Sequence, residues 1–136
     1  MAAIALTNAK VVINSVDLSD HVQDVTLEFA AKDLDKTAMS STGWEGHLGG
    51  LKSGKVSFTL LQDYAASSVD ATINGILGTT VQITANPVNA ANAPTNPAYQ
   101  FNAVILDYQP IAGKVGDVLQ TKVSTVLDGA PTRLTA

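Results

Sequence analysis

Two stretches of the chain carry residue types that chemistry uses. In GGLKSGKV, Gly49, Gly54 and Lys55 have the spacing of a phosphate-binding loop, where backbone amides cradle the phosphates and the lysine reaches them. The residue after that lysine must supply a hydroxyl for magnesium and open a helix. Here it is Val56, and residues 56–60 alternate as a strand, so no nucleotide site is expected. DLSDHVQD gathers Asp17, Asp20, His21 and Asp24, all metal-binding types, but the spacing matches no calcium loop and lacks its central glycine. Turn chemistry, with Ser19 or Asp20 bonding local amides, accounts for these residues without an ion. A Ser-His-Asp relay would have to use His21 or His47, the two histidines, and neither accompanies a GxSxG or HExxH pattern. A relay assembled from distant segments is left open, but no motif singles one out. With no cysteine there is no disulfide framework and no thiolate metal site. No catalytic activity, metal or cofactor is expected.

The elements that would position such residues are mostly strands. QDVTLEFA sets Val25, Leu27 and Phe29 on one face and Thr26 and Glu28 on the other. KVSFTLLQ repeats the device with Val56, Phe58 and Leu60 against Ser57 and Thr59, and VQITA adds Val81, Ile83 and Ala85. LQTKVSTVL puts Leu119, Thr121, Val123, Thr125 and Leu127 on one side. In AYQFNAVILDY both faces are apolar, which requires cover on both. KVVINSVDL reads as a short hairpin turning at Asn14 and Ser15. One helix is expected over about 68–77, with Ser67 as N-cap, Val69, Ile73, Ile76 and Leu77 as its stripe, and Gly78 ending it. The Asn- and Pro-rich segment 86–99 connects two strands.

At 136 residues the chain has the size of one domain, taken as 1–136, with 46% hydrophobic and 15% charged residues. No apolar run is long enough to span a membrane, and the start lacks the basic and apolar regions of a secretory signal. So little charge leaves a surface of Ala, Thr, Ser, Asn and apolar groups, suited to contact with other protein. A net charge of −4 and a single arginine, Arg133, argue against gripping nucleic acid through its phosphates. TAMSSTGWEGHLGGLKSG, residues 37–54, holds the only tryptophan, Trp44, and five glycines without regular periodicity. Such a loop either folds back to close an end of its own domain or packs on another molecule.

The order of these pieces is similar to that of the major tail tube proteins of long-tailed, non-contractile bacteriophages. The resemblance covers roughly residues 10–128. It rests on INSVDLSDHVQDVTLE, on Asp35, Thr37, Ala38 and Met39 followed by Gly43 and Trp44, on GLKSGKVSF, on QDYAA, and on NPAYQF with the later Gly116 and Asp117. It implies a mainly β fold: a β-sandwich or half-barrel of two antiparallel sheets, with one short flanking helix and a long inter-strand loop or extended hairpin at about 30–53. It also implies a virion structural role. Six subunits would form a ring and rings would stack into the tube that conducts DNA into the host, after assembly in the host cytoplasm. Partners would then be the chain itself, with tail tip, tape-measure and tail terminator proteins, and genomic DNA would pass without specific binding and without a membrane. No additional surface domain is expected after LDGAPTRLTA. On this reading Met39, Trp44, His47, Leu48 and Leu51 form the inter-subunit or inter-ring loop, with the tryptophan and methionine as apolar anchors. Thr26, Glu28, Ser57, Thr59, Gln120 and Ser124 are candidates for the channel wall, with Lys55 and Lys122 needing acidic partners there. The alternative is a monomeric β-sandwich that binds protein or carbohydrate.

Overall fold

The computed structural model describes Ala3 and residues 5–135, with the backbone alone at Ser41. Among the described residues eight strands, β1 Lys10–Ile13, β2 Val16–Asp17, β3 Val22–Asp35, β4 His47–Leu61, β5 Thr80–Asn86, β6 Ala98–Tyr108, β7 Gln120–Leu127 and β8 Thr132–Leu134, accompany one α-helix, α1 Val69–Ile73. The mainly β fold with a short helix is as the sequence implies. Every ladder is antiparallel, and the strands follow the order β2-β1-β5-β6-β7-β4-β3, with β8 added along β6. The two ends of this path, β2 and β3, are consecutive in the chain and separated by only a one-turn 3-10 helix, Ser19–His21. A connection that short forces the ladder to curl until its ends approach, which makes two antiparallel leaves of an open half-barrel.

The core lies between the leaves. Val11 and Ile13 of β1, Val56, Phe58 and Leu60 of β4, Ile83 of β5, Phe101, Ala103 and Ile105 of β6 and Val123 of β7 join one buried cluster, closed by Val69 and Ile73 of α1. These are the inward positions that period-2 alternation assigns, and Thr121 and Thr125 are buried on the same side of β7. Asn14 and Ser15 both have positive φ, as a two-residue hairpin of the primed type requires, and they join β1 to β2 at the expected turn.

Several details depart from expectation. The helix is shorter than 68–77, and Ser68 is its N-cap, because Ser67 takes a left-handed φ of 59°. Val69 and Ile73 are buried, Ile76 packs on the core from the following turn, and Leu77 is exposed. The second face of β6 is covered only in part: Val104 is half-buried and Tyr108 packs on the core beyond a bulge between Ile105 and Asp107, while Leu106 faces solvent. Finally, β8 forms where no strand pattern is legible, and it pairs Ala98, Tyr99 and Gln100 with Leu134, Arg133 and Thr132.

The long connection at 87–97 is held mainly by the buried side chain of Asn96, with Asn86 donating to Asn92 beside it. Asn96 accepts from the Val88 amide and donates to the carbonyls of Val88, Ala90 and Ala91. A buried amide satisfied on both sides fixes a loop that has no apolar core of its own.

Candidate assembly surface

Residues 30–53 form the extended hairpin rather than a loop. β3 continues to Asp35 and β4 begins at His47, so only 36–46 lie outside the strands. The body ends earlier than this hairpin. β7 pairs with β4 only from Lys55 to Leu61, and beyond that point β4 pairs with β3 alone, from Ala30↔Ser53 to Asp35↔His47. The result is a two-stranded arm leaving the sandwich, with no buried residue between Ala30 and Ser53 among the described residues. Its outer end is closed by the Lys36 amide donating to the Gly46 carbonyl, and by the Gly46 amide donating to Thr37 Oγ1. Asp35 Oδ1 accepts from the amide of Thr37, and the bonds from Thr37 hold its carboxyl below the usual carboxylate range.

The arm displays the apolar residues expected to anchor it on a neighbour. Trp44 is 79% exposed, Leu51 85% and Met39 fully exposed, with Leu48 about half exposed. Closure of its own sandwich by Trp44 is therefore excluded. Leu48 stands opposite Leu34, whose side chain crosses Gly50, where a Cβ would lie 3.0 Å from it. His47 sits between two acids, its Nδ1 2.8 Å from Asp33 Oδ1 and its Nε2 3.2 Å from Glu45 Oε2.

The six channel-wall candidates fall on one face of β3, β4 and β7. Thr26, Ser57 and Ser124 stand in one cross-strand row, and Asp24, Thr59 and Lys122 in the next. Gln120 is opposite Leu61 at the far end and donates to Gln23. Thr59 and Gln120 are half-buried and the other four are exposed. Lys55 is opposite Glu28 with their charges 3.6 Å apart, while no ion pair reaches Lys122 among the described residues. Asp24, Glu28 and Asp107 against Lys55 and Lys122 leave this face close to neutral, slightly acidic, and rich in hydroxyls. The outer edge of β3, fourteen residues long, has no strand beside it among the described residues. Such an edge presents unpaired amides and carbonyls to whatever strand approaches.

The other histidine gathers relay residue types without relay geometry. His21 Nε2 lies 3.0 Å from Asp63 Oδ2, and Ser68 Oγ donates to the same oxygen at 2.8 Å. In a hydrolase relay the acid holds Nδ1 and the serine faces Nε2. Here both crowd Nε2, and Nδ1 is buried without a partner. The cluster is a clamp between the Ser19–His21 turn and the segment before α1, not a nucleophile. Neither Asp63 nor Ser68 carries a sequence signal for this meeting, because forty-two residues separate His21 from Asp63. Asp63 also accepts from the Ala65 amide, and that bond, Ser68 and His21 hold its carboxyl below the ordinary range. Asp17, rather than Asp20, makes the local turn bond, accepting from the Ser19 amide while Ser19 Oγ accepts from the Val11 amide. Among the described residues, no three His, Asp or Glu side chains meet as a metal site, and Gly49–Lys55 is extended strand.

Above the helix, Tyr108 donates to Asp70 Oδ1 at 2.6 Å and accepts from Gln62, whose amide also donates to the Pro110 carbonyl. Burial and the Asp70 carboxylate push the Tyr108 phenol up to about 12. It acts as a fixed donor joining β6 to α1.

No protein-family profile matches the sequence, and no curated protein matches it. Solved structures do. A chain from the virion of a native gene transfer agent particle aligns over 96% of this chain and 98% of its own, with a TM-score of 0.77 at 17% identity. A chain of the SPP1 tail tube aligns over 98% of this chain and 80% of its own, with a TM-score of 0.69 at 15% identity. One from the sheath–tube complex of an extracellular contractile injection system covers 98% and 93%, with a TM-score of 0.71 at 11% identity. The chain has the fold of tail and injection-system subunits. That likeness is broader than non-contractile phages, since a contractile assembly shares it to a similar degree.

Proposed function

We propose that this chain is a structural virion protein that polymerises with itself as stacked rings, six subunits to a ring, into a tube through which DNA leaves the particle. The observation that carries the reading is the arm: a hydrogen-bonded hairpin whose outer part exposes Met39, Trp44, Leu48 and Leu51, with none of them buried by the chain's own fold. A stable monomer has no use for such a device, whereas a subunit that must find its neighbour does. The free β3 edge supports the same conclusion, because in a closed ring that edge meets a strand of the next subunit. The fold shared with tail chains is a third support.

In the tube, the Thr26, Ser57 and Ser124 face lines the bore. A wall of hydroxyls with its lysine at 55 paired to Glu28 offers phosphates little to bind, and its slight acidity keeps DNA moving. Tail tip, tape-measure and terminator proteins meet the ends of the tube, and the protein resides in the virion after assembly in the host cytoplasm. Electron microscopy of the purified protein over a concentration series tests the reading. Hollow tubes or stacked rings are expected; a monomer at every concentration, including with tail-tip protein as initiator, would return the protein to the class of monomeric binding modules.

A further inference from the structure

The molecule carries both an uncovered apolar tip and, at the base of the same arm, an uncovered apolar seat. A groove of about 600 Å³ opens between Phe29, Gly54, Leu127, Ala130 and Pro131, with Lys52 beside it. Its floor exists because residue 54 is glycine: a Cβ there would lie 2.8 Å from Leu127 Cδ2 and 3.1 Å from Phe29 Cδ1. Phe29 is half exposed, and its ring leans on Tyr99 at a centroid distance of 6.0 Å. This volume is within the range that accepts an aromatic group with room for a second side chain.

We infer that this groove receives Trp44 of a second copy of the chain. The protein's own Trp44 cannot reach it. The groove borders Lys52–Gly54 and the tip begins at His47, so β4 carries the tip away by about 3.3 Å per residue. Returning would break the ladder from Ala30↔Ser53 to Asp35↔His47. Charge favours the same pairing. Glu45 adjoins Trp44, whereas the groove has Lys52 beside it and Arg133 opposite Tyr99. Indole against Phe29 and Leu127 makes the large, central apolar contact on which interfaces depend. Plug and seat are different surfaces, so each contact leaves one of each free and the assembly extends or closes as a ring.

The inference rests on the tube reading, and Trp44 reports on it directly because the chain has no other tryptophan. Its fluorescence and acrylamide quenching are followed as wild-type protein is taken from dilute monomer into tubes. Emission should shift to the blue and quenching should fall on assembly. Ala130→Arg, which fills the groove and adds a cation at an exposed position, should fold with an unchanged circular dichroism spectrum. It should raise the critical concentration at least about tenfold, as loss of a central aromatic contact does. Lys52→Glu should weaken assembly, and Glu45→Lys in the same chain should restore it. Tubes in which Trp44 stays open to acrylamide would overturn the seat while leaving the tube intact. So would Ala130→Arg tubes with Trp44 protected as in wild type, or protection abolished by Val115→Arg instead. Absence of assembly at any concentration would overturn the tube reading and this inference with it.

Discussion

The strands β3 and β4 run through both the body and the arm and obey different rules in each. From Val56 to Leu60, β4 buries every second residue at 2% exposure or less, and α1 and β7 complete the packing. From His47 to Ser53 the same strand buries none, places Gly49 and Gly50 side by side, and leaves Leu48 and Leu51 exposed. The β3–β4 ladder runs through both halves, so backbone pairing is not what separates them. Burial is. A strand segment without an inner face contributes little to the stability of its own chain, and its apolar groups have value only against another molecule.

The largest effect that would sharpen this contrast is in the body. Phe58→Ala removes a ring buried to 2% exposure between the leaves and should cost about 3–5 kcal/mol by urea denaturation. A loss below about 1 kcal/mol would mean that the core is not where the fold's stability resides. Next is the junction. Gly54→Val places a side chain against Leu127 and Phe29, and should destabilise the monomer by about 1–3 kcal/mol in the same measurement.

The course of β3 shows how far sequence reasoning reaches. Val25, Leu27 and Phe29 alternate because the first two pack on the core and the third continues their row, and the strand is legible that far. Ala30, Ala31, Lys32, Asp33, Leu34 and Asp35 have no inner face in this chain, so they carry no period-2 signal. The same reasoning explains Trp44, whose burial depends on a partner that the sequence of one chain does not describe. The Asn14–Ser15 hairpin and the core residues of β4 and β7 are readable because turn chemistry and alternation are local. The strand order, β8, and the meeting of His21 with Asp63 and Ser68 come from pairing across long separations, which leaves no local trace. Ser67 has the spacing from Asp70 that a helix cap needs, but its left-handed φ passes the position to Ser68, whose hydroxyl binds Asp63 instead.

Acid separates the two regions further. In the body, Asp63 is held below its unfolded value, so its contribution is complete above the unfolded carboxylate range of about pH 4 and is lost as pH falls through the folded value. Asp63→Asn should therefore flatten the acid limb of the stability profile, measured by thermal melting between neutral and low pH; an unchanged limb would remove the clamp from the account. In the arm, Asp35 is lowered in the same direction through Thr37, so protonation there should loosen the hairpin end. The protection of the Thr37 amide, taken as its exchange relative to the intrinsic rate at each pH, should fall with acid before that of the body, and simultaneous loss would join arm and body into one cooperative unit.

The smallest effect on the monomer belongs to the residue with the largest expected effect on assembly. Trp44→Ala should leave the melting curve within about 0.5 kcal/mol of wild type, because the side chain touches little of its own fold. Sedimentation and electron microscopy of wild-type and Trp44→Ala protein, prepared side by side at matched concentrations, decide the matter. The structure leads us to expect hollow tubes from the wild type and a folded, unassembled variant with the same stability. Tubes from both proteins, or a variant that fails to assemble because it has unfolded, would contradict the separation of a self-sufficient body from an arm made for its neighbour.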